Sequence, residues 1–324
     1  MSENAAADCR VCGHSQGNRL HQVRETMYGV PGAFVYLECA ACGCLQLQDV
    51  PPDMAAWYPA DYCAYGRAKV RRLPAWRRRL KALRTRLLLG GFGRGGRWLA
   101  RLLPLPPYGD WLQRLPLGLD ARILDVGCGA GHLLLRLQRD GFRSLRGLDP
   151  FIAETLVYPG GLVVRKEPLA DLRGEFDLIM LHHSFEHMDR PLEVLSTLVA
   201  HLAPDGRLLI RIPLAGSYAW RKYGASWANL DAPRHLYLHT PTSLALLAAA
   251  AGMAIESIVY DSQYKQIALS EWLSLGGTMK DYDEWERTCY SARDIRGFKR
   301  AARALNARRD GDAAAFILVR QGGG

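Results

Sequence analysis

The sequence predicts an α/β protein built on a doubly wound, mostly parallel sheet of seven strands. A small cysteine-bearing ribbon precedes it, and a basic helical connector joins the two. Three observations carry that prediction. Ile123, Leu124 and Val126 form a short apolar run, followed by glycines at 127, 129 and 131 and by a helix pattern with a wide apolar face from His132 to Arg139. From Leu112 onward such runs alternate with helical stretches, the order that builds a parallel sheet covered on both faces. Near the N-terminus stand two C-x-x-C-G knuckles, with 26 residues between Cys12 and Cys39.

Taken in order, the knuckles come first. Cys9 with Cys12 and Cys39 with Cys42 each turn two thiols toward one centre, and four thiolates make a closed tetrahedral zinc site with no open position for substrate. Zinc here would fold a ribbon over residues 1–62 and do no chemistry; Cys44 is a spare. The N-terminus lacks the basic and apolar regions of a signal peptide. No apolar run reaches the ~18 residues of a membrane span. The expectation is a cytoplasmic protein with reduced thiols.

The connector, residues 63–110, shifts composition sharply. Residues 66–108 hold thirteen Lys or Arg and no acid, so the net charge of +10 falls to −3 without them. Leu73, Trp76, Leu80, Leu83 and Leu87 recur at helical spacing beside Arg77, Arg78, Arg79, Arg84 and Arg86, which predicts an amphipathic helix with a cationic face. A glycine run at 90–96 ends it, and a second short helix precedes Pro104. Three readings stay open: contact with an anionic membrane at the inner surface, nucleic acid, or a solvated collar. The aromatic interleaving of a single-strand binder is thin.

In the third region, 111–324, strands are expected at 122–126, 144–148, 161–165, 176–181, 207–212, 254–260 and 314–320. Helices are expected near 131–140, 151–156, 191–202 and 241–251, with Pro191 and Pro241 at helix entries. The glycine turn lets a ligand approach the backbone because no Cβ intervenes. Eighteen residues after Gly131, Asp149 places a carboxylate at the tip of the next strand, where a ribose diol would be held.

A dinucleotide fingerprint would need glycine at 132, which is His. The spacing D-x-G-x-G-x-G, led by Asp125, instead resembles the class I S-adenosylmethionine (AdoMet) methyltransferases, whose sheet is Rossmann-like. The resemblance implies that Asp125, Gly127, Gly129 and Gly131 abut the methionine part of the cofactor and that Asp149 takes the ribose hydroxyls. The strand Phe176-Asp177-Leu-Ile, the following Glu186-His187 pair and the turn Pro204-Asp205-Gly206 also resemble the small-molecule members. There His183, leaving the strand toward the crevice, falls on the cofactor side. The last strand would be the antiparallel one inserted near the sheet edge. The exit lacks the N/D-P-P-Y/F turn common in amino-group methylation of bases and glutamine, which lowers the nucleic-acid reading.

Residues 214–240 carry five aromatics, and W-x-x-(x)-D-x-P-R-H-L resembles AdoMet enzymes of polysaccharide and natural-product pathways, including zinc-ribbon sugar methyltransferases. The stretch is expected to form a lid or wall of the acceptor pocket, with Tyr223, Trp227 and Arg234 as substrate residues and Arg234 able to fix a carboxylate or phosphate bidentately. Methyl transfer to an alcohol or acidic carbon needs a base near neutral pH, and His187 and His235 are the candidates. A metal on His182, His183 and His187 is disfavoured, since adjacent strand residues face opposite ways.

The expected protein is thus an AdoMet-dependent methyltransferase acting on a small-molecule or glycan-type acceptor, including a nucleotide- or lipid-linked sugar. An RNA methyltransferase gripping RNA with ribbon and arginine helix, and a non-catalytic partner module, are the alternatives. Nothing in the sequence indicates an oligomeric state.

Overall fold

The computed structural model describes residues 8–58, 74–90, 106 and 108–322. Much of the connector, including Leu73, the glycine run from 91 and the second short helix, lies outside them. No helix among the described residues is long and apolar enough to cross a membrane.

The ribbon contributes β1 (Arg19–Arg24), β2 (Ala33–Glu38) and β3 (Leu45–Leu47), followed by α1 (Ala75–Leu88) and the single turn α2 (Gly109–Leu112). Then come β4 (Arg122–Val126), α3 (His132–Arg139), β5 (Ser144–Leu148), β6 (Leu156–Val157), β7 (Val163–Arg165), β8 (Phe176–His182), α4 (Pro191–Ala200) and β9 (Leu202–Pro213). The remainder is α5 (Tyr218–Tyr223), β10 (Tyr237–Leu238), α6 (Pro241–Ala250), β11 (Met253–Tyr260), α7 (Tyr264–Ser274), α8 (Met279–Cys289), α9 (Ala292–Ala307) and β12 (Ala313–Arg320).

The central sheet runs β11-β12-β9-β8-β4-β5-β7-β6. Strands β9, β8, β4, β5 and β7 are parallel, and β12 lies antiparallel between β9 and β11, as expected for the last strand. Its strands are apolar almost throughout because both faces are covered. Ile123, Leu178, Met180 and Leu209 point into one core, while Leu124, Val126, Ile179 and Ile210 point into the other.

Two expectations are corrected. The sheet has eight strands, not seven, and no helix forms at 151–156. Instead Leu156 pairs antiparallel with Val164 as an edge strand. Pro159-Gly-Gly161 closes the segment soon after it begins, and Leu156-Val157 is taken up by pairing with Val163-Val164, which leaves no length for a helix.

The stretch 214–240 is not a free lid either. It folds into α5, two single 3-10 turns and β10, and β10 becomes the fourth strand of the ribbon sheet, order β1-β2-β3-β10. Leu238 pairs with Leu45 and Tyr237 with Gln46. One core holds Tyr36, Leu37, Cys39 and Leu45 together with Trp220, Trp227, Leu236 and Leu238. The ribbon therefore shares its hydrophobic interior with the stretch 214–240 of the larger domain.

Helix α1 buries only its last turn, Thr85, Leu87 and Leu88, while Trp76, Leu80 and Leu83 are exposed. It is fastened by charge: Lys81 Nζ and Arg84 Nη2 reach the buried Asp140 carboxylate at 2.7 and 3.2 Å, and the Tyr108 hydroxyl donates to the same group.

Candidate functional site

The glycine turn sits at the carboxyl end of β4. Gly127, Gly129 and Gly131 all have positive φ (69°, 52° and 74°), a region that costs any residue with a Cβ. A Cβ on Gly127 would stand 2.5 Å from Ser184 Cβ, and one on Gly131 would stand 2.8 Å from Val164 Cγ2. Gly147 on β5 is as constrained, its Cβ falling 2.6 Å from Cys128 Sγ; in the sequence it reads as one more small residue in a strand.

Asp149 is buried and closes the turn from the neighbouring strand. Its Oδ2 accepts from Gly129 N at 2.8 Å and its Oδ1 from Phe151 N at 2.9 Å, leaving each oxygen a further lone pair. Asp125 lies beneath, buried, with Oδ1 unpartnered. Burial, and then the charge of Asp149, push its carboxyl up to about 8. A cradle that only glycine fits, with an orphaned buried carboxylate oxygen under it, fits a cationic ligand such as the methionine end of AdoMet.

Asp125 also sets a pH dependence. Its folded-state pKa is raised, so its contribution to stability is full below about pH 4 and is lost as pH rises toward about 8. Asp125→Asn should therefore flatten the fall in Tm between pH 5 and 8 and raise Tm at pH 8. Parallel Tm-against-pH curves for the two proteins would contradict this.

Ser184 links the turn to the acceptor side. Its Oγ donates to the Val126 carbonyl at 2.8 Å, and the 3-10 turn Phe185–His187 begins at the next residue. Glu186 is 1% exposed, yet neither carboxylate oxygen has a hydrogen-bond partner. Its pKa is nevertheless lowered to about 2, since burial, which raises it, is more than offset by the nearby imidazoles of His183, His187 and His235. His187 and His235 meet edge to face, ring centres 4.7 Å apart. His187 Nδ1 is 2.8 Å from the Arg234 carbonyl and His235 Nδ1 is 2.8 Å from the Asn229 carbonyl. A carbonyl only accepts, so both Nδ1 atoms carry the proton and both Nε2 atoms bear a lone pair. Burial, and then the neighbouring His235 imidazole, hold His187 below the usual imidazole range.

Other expected site residues are placed differently. His183, at φ 52°, lies between the Arg211 guanidinium on Nε2 and Glu186 Oε1, 3.5 Å from Nδ1. Its partners are thus Arg211 and Glu186. The Arg234 fork is wholly enclosed: Nη2 lies 2.6 Å from Glu25 Oε1 and 2.6 Å from Asp231 Oδ1, and Nη1 donates to the Trp57 carbonyl at 2.8 Å. It has no free face for a substrate anion. Trp227 is buried and donates from Nε1 to Asp312 at 2.9 Å, so it braces the loop. Tyr223 remains half-buried, its hydroxyl donating to Glu271 at 2.8 Å. Glu25 was invisible as a functional residue, because its partner stands 209 positions away.

The four knuckle thiols converge. Cys9 Sγ lies 3.7 Å from Cys42 Sγ and Cys12 Sγ 3.5 Å from Cys39 Sγ, and all four sulfurs lie within 4.8 Å of one another. Sulfurs about 2.3 Å from a tetrahedral zinc ion stand about 3.8 Å apart, so the donor set fits. Cys44 is buried outside the set, 3.8 Å from His239 Nδ1.

Comparison with known proteins follows this geometry. Residues 94–258, just over half of the chain, match the methyltransferase domain family. The trans-aconitate 2-methyltransferase of Methylobacterium nodulans is 28% identical over 192 residues, 56% of this chain and 66% of that protein. The ubiquinone biosynthesis O-methyltransferase of Aeromonas salmonicida is 26% identical over 168 residues, 46% of this chain and 70% of that one. The chain thus spans just under two thirds of the first relative's length. Among solved structures, the cyclopropane synthase MmaA2 of Mycobacterium tuberculosis aligns with a TM-score of 0.41 at 18% identity, over 73% of this chain and 82% of that one.

Proposed function

The chain belongs to the methyltransferase domain family, and from that premise we propose that it moves the methyl group of AdoMet to an oxygen on a small-molecule acceptor. The observation that carries the reading is the continuity of the two half-sites: the glycine turn clasped by Asp149 is covered by Ser184, and Glu186 and His187 follow at once. Two relatives act on small molecules by name, and one of them is an O-methyltransferase. A nucleotide- or lipid-linked sugar is the acceptor favoured by the resemblance of residues 214–240 to AdoMet enzymes of polysaccharide pathways.

When bound, AdoMet supplies an electrophilic methyl on a sulfonium. The glycine turn and Asp149 hold and orient it, and its positive charge would favour the ionised form of the buried Asp125. The lone pairs on His187 Nε2 and His235 Nε2 face the acceptor side and can take the hydroxyl proton, and Glu186 stabilises the imidazolium so formed. Zinc on Cys9, Cys12, Cys39 and Cys42 holds the ribbon, as a closed four-thiolate site does.

Incubating the protein with methyl-labelled AdoMet and extract fractions separates the acceptors. Label in the lipid-linked or soluble sugar and acid fractions is expected; label confined to RNA would replace the small-molecule reading. His187→Ala and His235→Ala should each cut turnover by ~10²–10⁴ with AdoMet affinity kept.

A membrane contact is part of the proposal. Trp76, Leu80 and Leu83 are exposed beside Arg77, Arg78 and Arg79, whereas Lys81 and Arg84 are engaged by Asp140. Binding to anionic vesicles should fade with salt, and replacing Arg77, Arg78 and Arg79 by Gln should weaken it by about 3 kcal/mol, at roughly 1 kcal/mol per basic residue. Salt-independent binding, or none to vesicles rich in phosphatidylserine, would leave α1 a solvated collar.

A further inference from the structure

We propose that Glu186, His187 and His235 form a second metal site, distinct from the four thiols, which takes a first-row divalent cation and holds the acceptor through it. The inference rests on the acceptor-side reading above and replaces its imidazole base: with a cation on the two imidazoles, the histidines bind metal and no longer take the acceptor's proton.

One ligand atom from each of the three residues lies within 4.8 Å of the other two. The electrostatics of the cluster are unbalanced without a further group. Both Nε2 atoms present lone pairs, because both Nδ1 atoms donate to backbone carbonyls. His235 Nε2 is 3.9 Å from Glu186 Oε1, too far for a hydrogen bond, and both Glu186 oxygens are buried and unpartnered. The buried carboxylate and one ligand atom of each imidazole share this space, with His183 Nδ1, 3.5 Å from Glu186 Oε1, as the only donor nearby among the described residues, an arrangement that a cation completes.

The surroundings have the form of a metal site. An Nδ1–H bonded to a backbone carbonyl is the outer-shell contact that fixes tautomer and ring orientation in metal-ligating histidines. Asn229, whose carbonyl holds His235, is itself fixed by its side-chain donation to Asp312 at 3.1 Å. Ligands about 2.1 Å from a tetrahedral ion stand about 3.4 Å apart, so side-chain shifts of about an ångström would seat the cation. Two imidazoles and one carboxylate suit manganese, cobalt, iron or zinc and leave positions open for substrate oxygen.

The acceptor class follows. A molecule with two adjacent oxygens, such as a vicinal diol, a catechol or a hydroxy acid, would chelate through the open positions. The hydroxyl O–H bond then breaks with its proton going to water and its electron pair staying on the oxygen, whose pKa the cation lowers.

The test uses the full chain with its thiol site zinc-loaded and Mn²⁺ as probe, since manganese prefers oxygen and nitrogen donors to thiolates. Free Mn²⁺ is read by electron paramagnetic resonance. One bound Mn²⁺ per chain is expected, with affinity falling about 100-fold or more in Glu186→Gln and in His235→Ala, while zinc content and AdoMet affinity stay at wild-type values. Absence of Mn²⁺ and Co²⁺ binding in wild type, or wild-type Mn²⁺ affinity retained in both variants, overturns the site. Wild type that transfers methyl at full rate with only the zinc present overturns the inference and keeps the methyltransferase reading. Mn²⁺ held by these residues with no methyl transfer to any chelating acceptor keeps the site and overturns that reading.

Discussion

Glu25→Ala is expected to destabilise the folded chain by about 3–5 kcal/mol, the usual result of stripping one partner from a buried ion pair. The side chains of Glu25 and Arg234 are both fully enclosed, with Tyr28 stacked 4.7 Å from the guanidinium. Asp231 would remain beside Arg234, but Glu25 also accepts from the backbone of Met27, Tyr28 and Val30, and all three donors would lose their acceptor. Denaturant unfolding measures the change, and a loss below about 1 kcal/mol would refute it. The double variant Glu25→Leu, Arg234→Met should cost less than the sum of the two single ones, because the direct pair is counted once, although Asp231 would still lose its guanidinium.

Gly127→Val is expected to abolish AdoMet binding, a loss beyond 100-fold by calorimetry. The new Cβ would stand 2.5 Å from Ser184 Cβ while forcing a β-branched residue into φ 69°. Gly127→Ala is the milder companion and should still weaken binding more than tenfold. Asp149→Ala should lose about 1.5–3 kcal/mol, the worth of charge-assisted hydrogen bonds. A folded Gly127→Val protein with wild-type affinity would remove the cofactor from this turn.

The sheet was legible because its signals are local. An apolar run, three glycines and an acid at the next strand tip carry β4, α3 and Asp149 without tertiary context, and β12 is read from Phe316 to Val319 alone. The knuckles are legible for the same reason. The short β6 was missed because two residues have no periodicity, and Phe151 to Val157 reads as helix until its pairing with Val164 is seen. Arg234 was assigned to substrate because its neighbours are aromatic and its fork suits anions. Its actual anions, Glu25 and Asp231, are chosen by how the ribbon docks, and local pattern holds no trace of that. His187 and His235 were both singled out, but their convergence on Glu186 depends on β10 joining the ribbon sheet, again a long-range event.

That joining has a consequence for how the chain comes off the ribosome. The Tyr36 hydroxyl donates to the His235 carbonyl across 199 positions, and β3 has no partner on its far side until Tyr237 and Leu238 exist. At 5–20 residues per second, the nascent ribbon waits about 10–40 s with that edge and its apolar underside open. The acceptor-side histidines are thus assembled late in synthesis, after the cofactor cradle. Slowing elongation between Leu47 and Tyr237 should lengthen the window for misassociation without altering the finished fold.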